Sequence, residues 1–341
     1  MESIRSLCEK CIILTVGCVV FSLFVPSNVC SRQNSFFLPY TEIFPQGRID
    51  WESGMIYGVG RGYFVSEDER MKALATGRLI ASGNIVKLVS GVRFDDRRIL
   101  GEFAKKNVTI RLKAFVKHTD ETYTVLKHNG RKFFEVTRAA PINGVKGLVA
   151  KLVDHLENKT VDWPLPAGES DAASGMKDDN MPWLVLDARK IFHSDPVHPA
   201  ISPKIMTRMG DTVYSSGQVS RKAFIERGMA RYVTSGLTKE QIKLAWENDL
   251  MLFSELIRLL SPSPAHADEK NKKKRKRQKF IVKNVKEAGG ILNTNLIISA
   301  KDAKELRDED SSSRILKNCR VIIVAAPLPG GIEGMLESII A

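Results

Sequence analysis

Cysteine is scarce in this chain beyond its first 30 residues. Four of the five cysteines, Cys8, Cys11, Cys18 and Cys30, lie in or beside an amino-terminal apolar run, so Cys319 stands alone in the rest of the sequence. A single cysteine forms no internal disulfide, which excludes the framework of a small disulfide-rich secreted domain. The paired-cysteine spacing of a structural zinc site is also missing.

Aromatic residues and catalytic motifs are scarce as well. Phe, Trp and Tyr make up 7% of the residues, so an extended base-stacking surface is not expected. The sequence has no P-loop, no G-x-S-x-G turn and no H-E-x-x-H helix, and no nucleophile stands beside a base. We therefore expect a protein that is not an enzyme and that has neither a cofactor nor a small-molecule substrate.

Two residue clusters come nearest to a chemical site. Residues 58–62 hold three glycines between a predicted strand and a predicted helix, but the G-x-G-x-x-G spacing fails because position 63 is Tyr63. We expect these glycines to let the helix pack closely on the strand; a nucleotide-dependent enzyme would depend on them alone. His193 and His198 bracket Asp195, which are residue types that bind zinc, and we interpret them as solvated loop residues.

The net charge of +13 is concentrated in one decapeptide. The stretch KNKKKRKRQK, from Lys270 to Lys279, holds eight cations. A duplex-binding protein usually spreads its cations over one folded face, whereas a run of like charges repels itself and forms a solvated loop. Such a loop can bind anionic lipid, wall polymer or nucleic acid, or have no dedicated partner. The candidate anion-binding residues are Lys272, Lys273, Lys274, Arg275, Lys276 and Arg277.

The amino terminus predicts export. Residues 11–25 are uncharged and apolar, and 15 residues are too few for a bilayer span of about 20. Pro26 then breaks the helix, as the polar region before a cleavage site does. We predict a signal peptide over residues 1–31 with cleavage after Ser31, while cleavage after Ser27 and an uncleaved anchor stay open. Cys30 is a candidate lipidation site, although Ser27 replaces the leucine of a lipobox, and Asn28 and Val29 replace its Gly, Ala or Ser.

Residues 49–157 predict one compact α+β unit. A strand is expected over 55–64, followed by a helix over about 67–89 that Ser66 and Glu69 cap. Its predicted apolar stripe is Met71, Leu74, Ala81, Ile85 and Leu88. A short strand at 91–95, a helix at 97–106, a strand at 108–116, a hairpin around Asn129-Gly130 and a helix at 145–156 complete the unit.

A linker over residues 158–180 leads to a second α+β unit over residues 181–326. Strands are expected at 183–186, 201–207, 212–214, 291–298 and 320–324, with a helix at 238–260 and a helical turn at 302–307. The basic run falls in an insertion at 261–279. The predicted fold class is therefore α+β, with two small mixed units in which short sheets pack against helices.

The first unit resembles a known family. The stretch IDWESGMIYGVGRGYF and the helix ERMKALATGRLIASGNIVKLVSGVRFDD are similar to the small exported lipoprotein family of bacteria and to the amino-terminal domain of flagellar assembly protein T. That family places a tryptophan before a strand that ends in alternating glycines, then an alanine-rich helix and a Gly-Val strand. The matching residues here are Trp51, Gly58, Gly60, Ala73, Ala75, Ala81, Gly91 and Val92.

The second unit resembles the carboxyl-terminal part of larger exported members of that family. The matching segments are Asp187-Ala188-Arg189, Pro203-Lys204-Ile205, Gly210-Asp211-Thr212-Val213-Tyr214, Asp302-Ala303 and Cys319-Arg320-Val321-Ile322-Ile323-Val324. The resemblance implies a periplasmic or outer-membrane-associated envelope protein with a structural or assembly role, which is flagellar in some relatives. It supplies no catalytic residues. The implied partners are envelope or flagellar basal-body proteins and an anionic membrane surface. Nucleic acid is disfavoured as a partner and stays the alternative through residues 270–279.

Overall fold

The computed structural model describes residues 37–103, 120–156, 166, 181–189, 191, 196–235 and 280–326. Within these residues helices combine with both antiparallel and parallel strands, which confirms the α+β fold class. The described residues all belong to one compact unit. Among the described helices, none has the length and apolar composition that crossing a bilayer requires.

The first sheet has five antiparallel strands in the order β2-β3-β4-β6-β5. Strand β4 confirms the predicted strand at 55–64, and β5 and β6 form the predicted hairpin. Asn129 and Gly130 between them have φ angles of 49° and 77°, the left-handed values that a type I′ turn requires. The strands are β2 (Thr41–Phe44), β3 (Gly47–Asp50), β4 (Met55–Phe64), β5 (Asp120–His128) and β6 (Arg131–Pro141).

Helix α1 (Arg70–Gly91) packs on one face of this sheet, after a 3₁₀ turn at Glu67–Glu69. The Glu69 carboxylate accepts hydrogen bonds from the backbone N of Val65 and of Ser66, so the predicted cap is present. Every fourth residue from Ala73 to Val89 is buried against the sheet. The predicted stripe is wrong at Met71, which is 74% exposed, because the buried row begins two residues later.

The connection after α1 differs from the prediction. The expected strand at 91–95 reduces to a single bridge between Arg93 and Ile99, and the helix that follows is the short α2 (Leu100–Phe103). Backbone N–H groups of Ile201 and Ser202 bond to the carbonyls of Arg93 and Phe94, so this segment pairs with a distant loop rather than with a neighbouring strand. Helix α3 (Leu148–Leu156) confirms the predicted helix at 145–156.

The second sheet is mainly parallel, in the order β1-β10-β14-β7-β11. Strands β10, β14, β7 and β11 run parallel, and β1 pairs antiparallel with β10. Strands β7 and β14 are buried throughout, as expected for apolar strands covered on both faces. The strands are β1 (Phe37–Pro39), β7 (Trp183–Asp187), β10 (Arg231–Ser235), β11 (Phe280–Asn284) and β14 (Val321–Ala325).

A third, small sheet has the order β12-β13-β8-β9. Two predicted strands are shorter than expected, since 201–207 becomes Ile205–Thr207 and 291–298 becomes Asn295–Ile298. The turn expected at 302–307 is helix α5, a helix of four turns that the Ser299 hydroxyl caps at the backbone N of Asp302. The elements are β8 (Ile205–Thr207), β9 (Thr212–Tyr214), α4 (Arg221–Arg227), β12 (Glu287–Gly289), β13 (Asn295–Ile298) and α5 (Ala300–Ser313).

Both predicted units bury residues in one hydrophobic cluster. It contains Ile56 and Ile85 from the first range and Leu184 and Ile323 from the second. The signal peptide, the linker, the basic insertion, the strand at 108–116 and the helix at 238–260 lie outside the described residues. The division of the chain at 158–180 stays a prediction.

Candidate interaction surface

The candidate sites from the sequence lie outside the described residues. Two of them are single features, the lipidation candidate Cys30 and the loop residues His193 and Asp195. The others are the six candidate anion-binding residues, Lys272, Lys273, Lys274, Arg275, Lys276 and Arg277. The structure nevertheless fixes where the basic run joins the fold. It leads directly into Phe280, the first residue of β11, which lies opposite Trp183 at the amino-terminal edge of the parallel sheet.

That edge carries cations of its own. The guanidinium carbon of Arg320 lies 4.7 Å from the centre of the Trp183 ring, and that of Arg231 lies 5.6 Å from it. Arg320 also donates to the carbonyls of Pro182 and Met181. Burial lowers the pKa of Arg231 and the nearby Glu52 carboxylate raises it, with a net decrease. Phe280, the residue that follows the basic run in the chain, is thus paired with the tryptophan on which these two arginines lie.

The glycines at 58–62 are closed to a ligand. A Cβ added to Gly60 would lie 2.2 Å from the carbonyl oxygen of Gly77 and 2.4 Å from the backbone N of Ala81. Gly58 meets the Ala81 carbonyl oxygen at 2.5 Å in the same way. The helix therefore occupies the face of β4 that a phosphate would need, and the expectation of close helix packing is confirmed.

The Asp-Ala-Arg segment after β7 is a buried internal ion pair. Asp187 Oδ1 accepts from the backbone N of Arg189 at 3.1 Å, and Asp187 Oδ2 accepts from Arg189 Nη2 at 2.5 Å. Both side chains are less than 5% exposed. The Asp187 carboxylate accepts a hydrogen bond from the backbone two residues ahead, and the Arg189 guanidinium neutralises its charge. The pair therefore fixes the turn that follows strand β7.

The acidic pair after α1 has the same kind of structural role. Asp95 Oδ1 accepts from the backbone N of Arg97 and of Arg98, and the Arg98 guanidinium binds Oδ2. Asp96 accepts from Lys204 Nζ at 3.2 Å, a residue more than 100 positions away. Asp96 therefore joins the first range of the chain to the second, whereas Asp95 fixes the turn in which it lies.

Trp51, the aromatic residue of the family pattern, is an anchor within the fold. Its Nε1 donates to Glu42 Oε2 at 2.7 Å, and Arg93 Nη1 donates to the other oxygen of the same carboxylate at 2.7 Å. Its ring meets Tyr232 edge-on, with 5.8 Å between the ring centres. Burial raises the pKa of Tyr232, whose hydroxyl accepts from the backbone N of Ala200.

No group of three or more His, Cys, Asp or Glu side chains among the described residues has a metal-binding arrangement. His198 lies in the described part, where its backbone N donates to the Asn293 carbonyl. Cys319 is buried, and this burial raises the pKa of its thiol to about 12. The thiol is therefore protonated at neutral pH, which is the state of an inert structural cysteine.

One group of exposed apolar residues lies at one end of the antiparallel sheet. We call this end the hairpin-end surface, and it consists of Arg61, Tyr63, Val65, Leu126, Lys127, His128, Arg131, Lys132 and Phe133. Tyr63, Phe133 and Leu126 are aligned across three adjacent strands. They point away from α1, because Gly62 and Phe134 on either side of them point toward it.

The exposure of this row is unusual for its composition. Tyr63 is 55% exposed, Leu126 is 42% exposed and Val65, directly after β4, is 88% exposed. The Tyr63 and Phe133 rings lie 5.2 Å apart, and Phe133 itself is buried beneath its neighbours. Exposed apolar residues that are grouped in this way mark an interaction site more often than single exposed residues do.

Cations lie near this apolar row on both faces of the sheet, with Arg61 on the face of the row and Lys127 and Lys132 on the face that α1 covers. Arg61 donates to Glu135 Oε2 at 2.9 Å while its guanidinium lies 5.3 Å from the Phe133 ring centre. Lys127 and Lys132 face each other across the hairpin, and Arg131 lies beside the turn. The sequence suggested the hairpin but not the surface, since neither periodicity nor composition shows which aromatic residues are left uncovered.

A family model described as the second domain of Treponema pallidum Tp0624 matches residues 183–327. The matched range begins at the first residue of β7 and ends two residues after β14. It covers less than half of the chain, so the similarity concerns the carboxyl-terminal part alone. No curated protein matches the chain. The resemblance of the first unit to exported lipoproteins and to flagellar assembly protein T stays a prediction.

Proposed function

We propose that this chain is an exported protein of the bacterial cell envelope, located in the periplasm or at the outer membrane, which acts by binding in a structural or assembly role. The observation that carries the binding role is the hairpin-end surface, where the exposed side chains of Tyr63, Val65 and Leu126 are grouped around the buried ring of Phe133. Export is supported by the short uncharged run at residues 11–25 and the break at Pro26.

The internal chemistry favours binding over catalysis. In the pairs Asp187–Arg189 and Asp95–Arg98 the charge of each aspartate is neutralised by its own arginine. The glycines of β4 are covered by α1. Among the described residues, the features that stay open to solvent are side chains on the surface, which favours a protein, a membrane or a polymer as the partner.

The proposed partners are envelope or flagellar basal-body proteins. This choice rests on the resemblance of residues 49–157 to exported lipoproteins and to the amino-terminal domain of flagellar assembly protein T. The similarity of residues 183–327 to the second domain of Tp0624 adds a bacterial relative for the second part of the chain.

The export half of this proposal is tested by a reporter fusion. Residues 1–40 are fused to alkaline phosphatase, which is active only outside the cytoplasm, and a second fusion lacks residues 11–25. We expect activity from the first fusion and none from the second. An inactive first fusion with normal expression would contradict export.

The binding half is tested in intact cells with a photo-crosslinking amino acid at position 63. The matched control carries it at position 209, because Met209 is 88% exposed and lies away from the first sheet. We expect adducts in the envelope fraction from position 63 alone. Equal adducts at both positions, or none at either, would contradict a binding role for this surface.

The alternative function is binding of nucleic acid or another anionic polymer through Lys270–Lys279. The observation behind it is the density of eight cations in ten residues, next to the two arginines on Trp183. Binding of this kind weakens linearly with the logarithm of salt concentration. Salt-dependent DNA binding that is lost when residues 270–279 are deleted would favour this alternative.

A further inference from the structure

We infer that strand β5 pairs antiparallel with β5 of a second copy of this chain, which joins the two antiparallel sheets edge to edge. Thr124, the middle residue of β5, lies on the two-fold axis of this pair. The inference goes beyond the proposed function and does not depend on export, because it follows from the order of residues in β5 and from the position of this strand in the sheet.

Strand β5 lies at the edge of the antiparallel sheet, and no other described strand pairs with its outer side. An exposed edge offers unpaired N–H and C=O groups to another strand, and natural proteins protect such edges with short strands, proline or bulges. Strand β5 has nine residues, no proline and an uninterrupted register with β6. The opposite edge strand, β2, has only four residues. Strand β5 is therefore the edge that is open to a partner.

Apolar side chains project from both faces of β5. Tyr123 and Val125 point to the face that α1 covers, and Leu126 points to the other face. Their exposed fractions are 52%, 45% and 42%. Exposed apolar residues that are grouped in this way mark an interaction site more often than single ones do. Because the group spans both faces, a strand added at the edge covers it better than a partner on one face does.

The hairpin determines which backbone groups β5 offers. The turn at Asn129-Gly130 joins His128 and Arg131 as a hydrogen-bonded pair, so His128 and every second residue before it bond to β6. The residues between them direct their N–H and C=O groups away from the sheet, and these are Glu121, Tyr123, Val125 and Lys127. A second copy offers the same four residues, so the two strands bond only where these residues lie opposite one another.

One register of the antiparallel pair satisfies this condition and uses all nine residues of β5. It places Thr124 opposite itself, and Tyr123 opposite Val125 of the second copy. Threonine pairs and pairs of an aromatic with a β-branched residue are both favourable across neighbouring strands. A shift by two residues in either direction leaves the ends of both strands unpaired, so this register is the preferred one.

The charges of β5 favour the same antiparallel partner. Asp120 and Glu121 begin the strand, and Lys127 and His128 end it. The register places Glu121 opposite Lys127 of the second copy and Asp120 opposite His128. A parallel pair would place like charges side by side, which is destabilising. Arg78 Nε donates to Glu121 Oε1 at 2.7 Å and holds this carboxylate in place. A strand with an unrelated partner does not need such a self-complementary order.

The helices leave room for the pair. A two-fold axis perpendicular to the sheet keeps both copies of α1 on the same face, where each packs on its own β4. The strand order across the joint is β4-β6-β5 followed by the same strands in reverse, so five strand spacings separate the two β4 strands. These spacings amount to about 24 Å. Packed helices need only about 10 Å between their axes, so the two α1 helices do not collide.

The first test is disulfide formation in residues 32–341, the chain after the predicted cleavage, which contains every described residue. Thr124→Cys places two thiols opposite each other at a pair without mutual hydrogen bonds, where the α-carbons are about 4.5 Å apart and a disulfide can form. Thr122→Cys is the matched control, because Thr122 is exposed on the same face and would lie about 13 Å from its copy.

We expect roughly tenfold more disulfide-linked dimer from Thr124→Cys than from Thr122→Cys after mild oxidation. The parent chain controls for Cys319, which is buried.

The second test removes a backbone hydrogen bond without adding a thiol. Val125→Pro removes an N–H that points away from β6, so the chain should fold, since proline is tolerated at such edge positions. Ile43→Pro is the control, because Phe44 and Gly47 close the β2–β3 hairpin and the Ile43 N–H likewise points away from the sheet. Sedimentation equilibrium measures dimerisation, and circular dichroism reports the fold.

We expect the parent and Ile43→Pro to form a weak dimer, because one strand from each copy makes a small interface. Val125→Pro should dimerise about tenfold more weakly, since the symmetry of the pair removes two hydrogen bonds.

Three results would overturn the inference. These are equal disulfide formation at positions 122 and 124, a parent that stays monomeric at every concentration, and unchanged dimerisation of a folded Val125→Pro chain. A monomeric parent would indicate that another segment of the same chain covers the edge, and disulfides to other proteins alone would indicate a different partner. The cysteine variants change only exposed residues, so they decide the matter even if Val125→Pro fails to fold.

Discussion

The α-carbon of Gly62 lies so close to helix α1 that a Cβ added to it would be 1.8 Å from the carbonyl oxygen of Ala73. The contact is with backbone, which cannot move aside as a flexible side chain can. We therefore predict that Gly62→Ala lowers the free energy of unfolding by about 3 kcal/mol, the upper part of the range for overpacking. Urea denaturation followed by circular dichroism measures the change.

Gly83, which lies in helix α1 itself, provides the control. A Cβ at this position would have no atom within 4 Å, and alanine favours a helix over glycine by roughly 0.5–1 kcal/mol. Gly83→Ala should therefore leave the protein as stable as the parent or slightly more stable. If both substitutions changed stability by the same amount, close packing at Gly62 would not be the cause.

The elements that the sequence predicted well are those with local signals. The glycines of β4, the cap at Glu69 and the Asn129-Gly130 turn each determine their own structure within a few residues. Strand β10 and helix α4 were missed, because both are short and β10 gains its partners from β1 and β14, which lie far away in the chain. Pairings of this kind depend on the whole fold and leave little trace in a short window.

The buried pair of Asp187 and Arg189 gives a second prediction. Removing one partner leaves an uncompensated charge inside the fold, which costs about 3–5 kcal/mol. Arg189→Met should therefore strongly lower the midpoint of chemical unfolding. The exposed pair of Arg208 and Glu287 is the control, with Nη2 3.1 Å from Oε2. Arg208→Met should leave the midpoint near that of the parent, and a loss as large as that of Arg189→Met would contradict the account.

Cys319 gives a prediction about reactivity. It is the only cysteine beyond residue 31, so labelling of residues 32–341 reports on one thiol. Because the thiol is buried and its pKa is raised to about 12, it should resist a disulfide reagent at pH 8. We expect full labelling in 6 M guanidinium chloride and almost none in buffer. Rapid labelling of the native protein would show that the site is open.

The same raised pKa predicts a loss of stability in alkali. In the unfolded chain the thiol ionises near pH 8.5, while in the folded chain it stays protonated to about pH 12. The contribution of Cys319 to stability is therefore complete below about pH 8.5 and falls as the pH rises above that value. Cys319→Ala should show a smaller decrease between pH 8.5 and 10. At higher pH Tyr214 also contributes, since burial raises its pKa.

The candidate surface was less predictable than the fold. The sequence placed its strongest charge in residues 270–279, and the aromatic share gave no reason to look for an exposed ring. Tyr63 and Phe133 become neighbours only when β4 pairs with β6, 70 positions later in the chain. Alternate residues of β4 face either α1 or solvent, so the exposed set depends on which face α1 covers. The glycines of β4 determine that face, because only they leave room for the helix.

The basic run itself gives a further prediction. Eight cations within ten residues repel one another, so their removal should change folding little, within about 0.5 kcal/mol. Replacement of Lys272, Lys273, Lys274, Arg275, Lys276 and Arg277 by Gln should leave the melting temperature nearly unchanged. The substituted protein should bind anionic vesicles more weakly than the parent, because it lacks six of the attracting cations. The comparison is made at low salt, since at physiological salt charges are screened within about 8 Å. Unchanged vesicle binding would indicate that the run is a solvated insertion that does not bind lipid.

The central claim is that this chain works outside the cytoplasm, in the cell envelope. The measurement that tests it most directly is amino-terminal sequencing of the protein purified separately from the soluble and the envelope fractions of its own cells. We predict a chain in the envelope fraction that begins near Arg32, because cleavage of the proposed signal peptide after Ser31 leaves that residue first. A chain in the cytoplasmic fraction that still begins at Met1 would contradict the account.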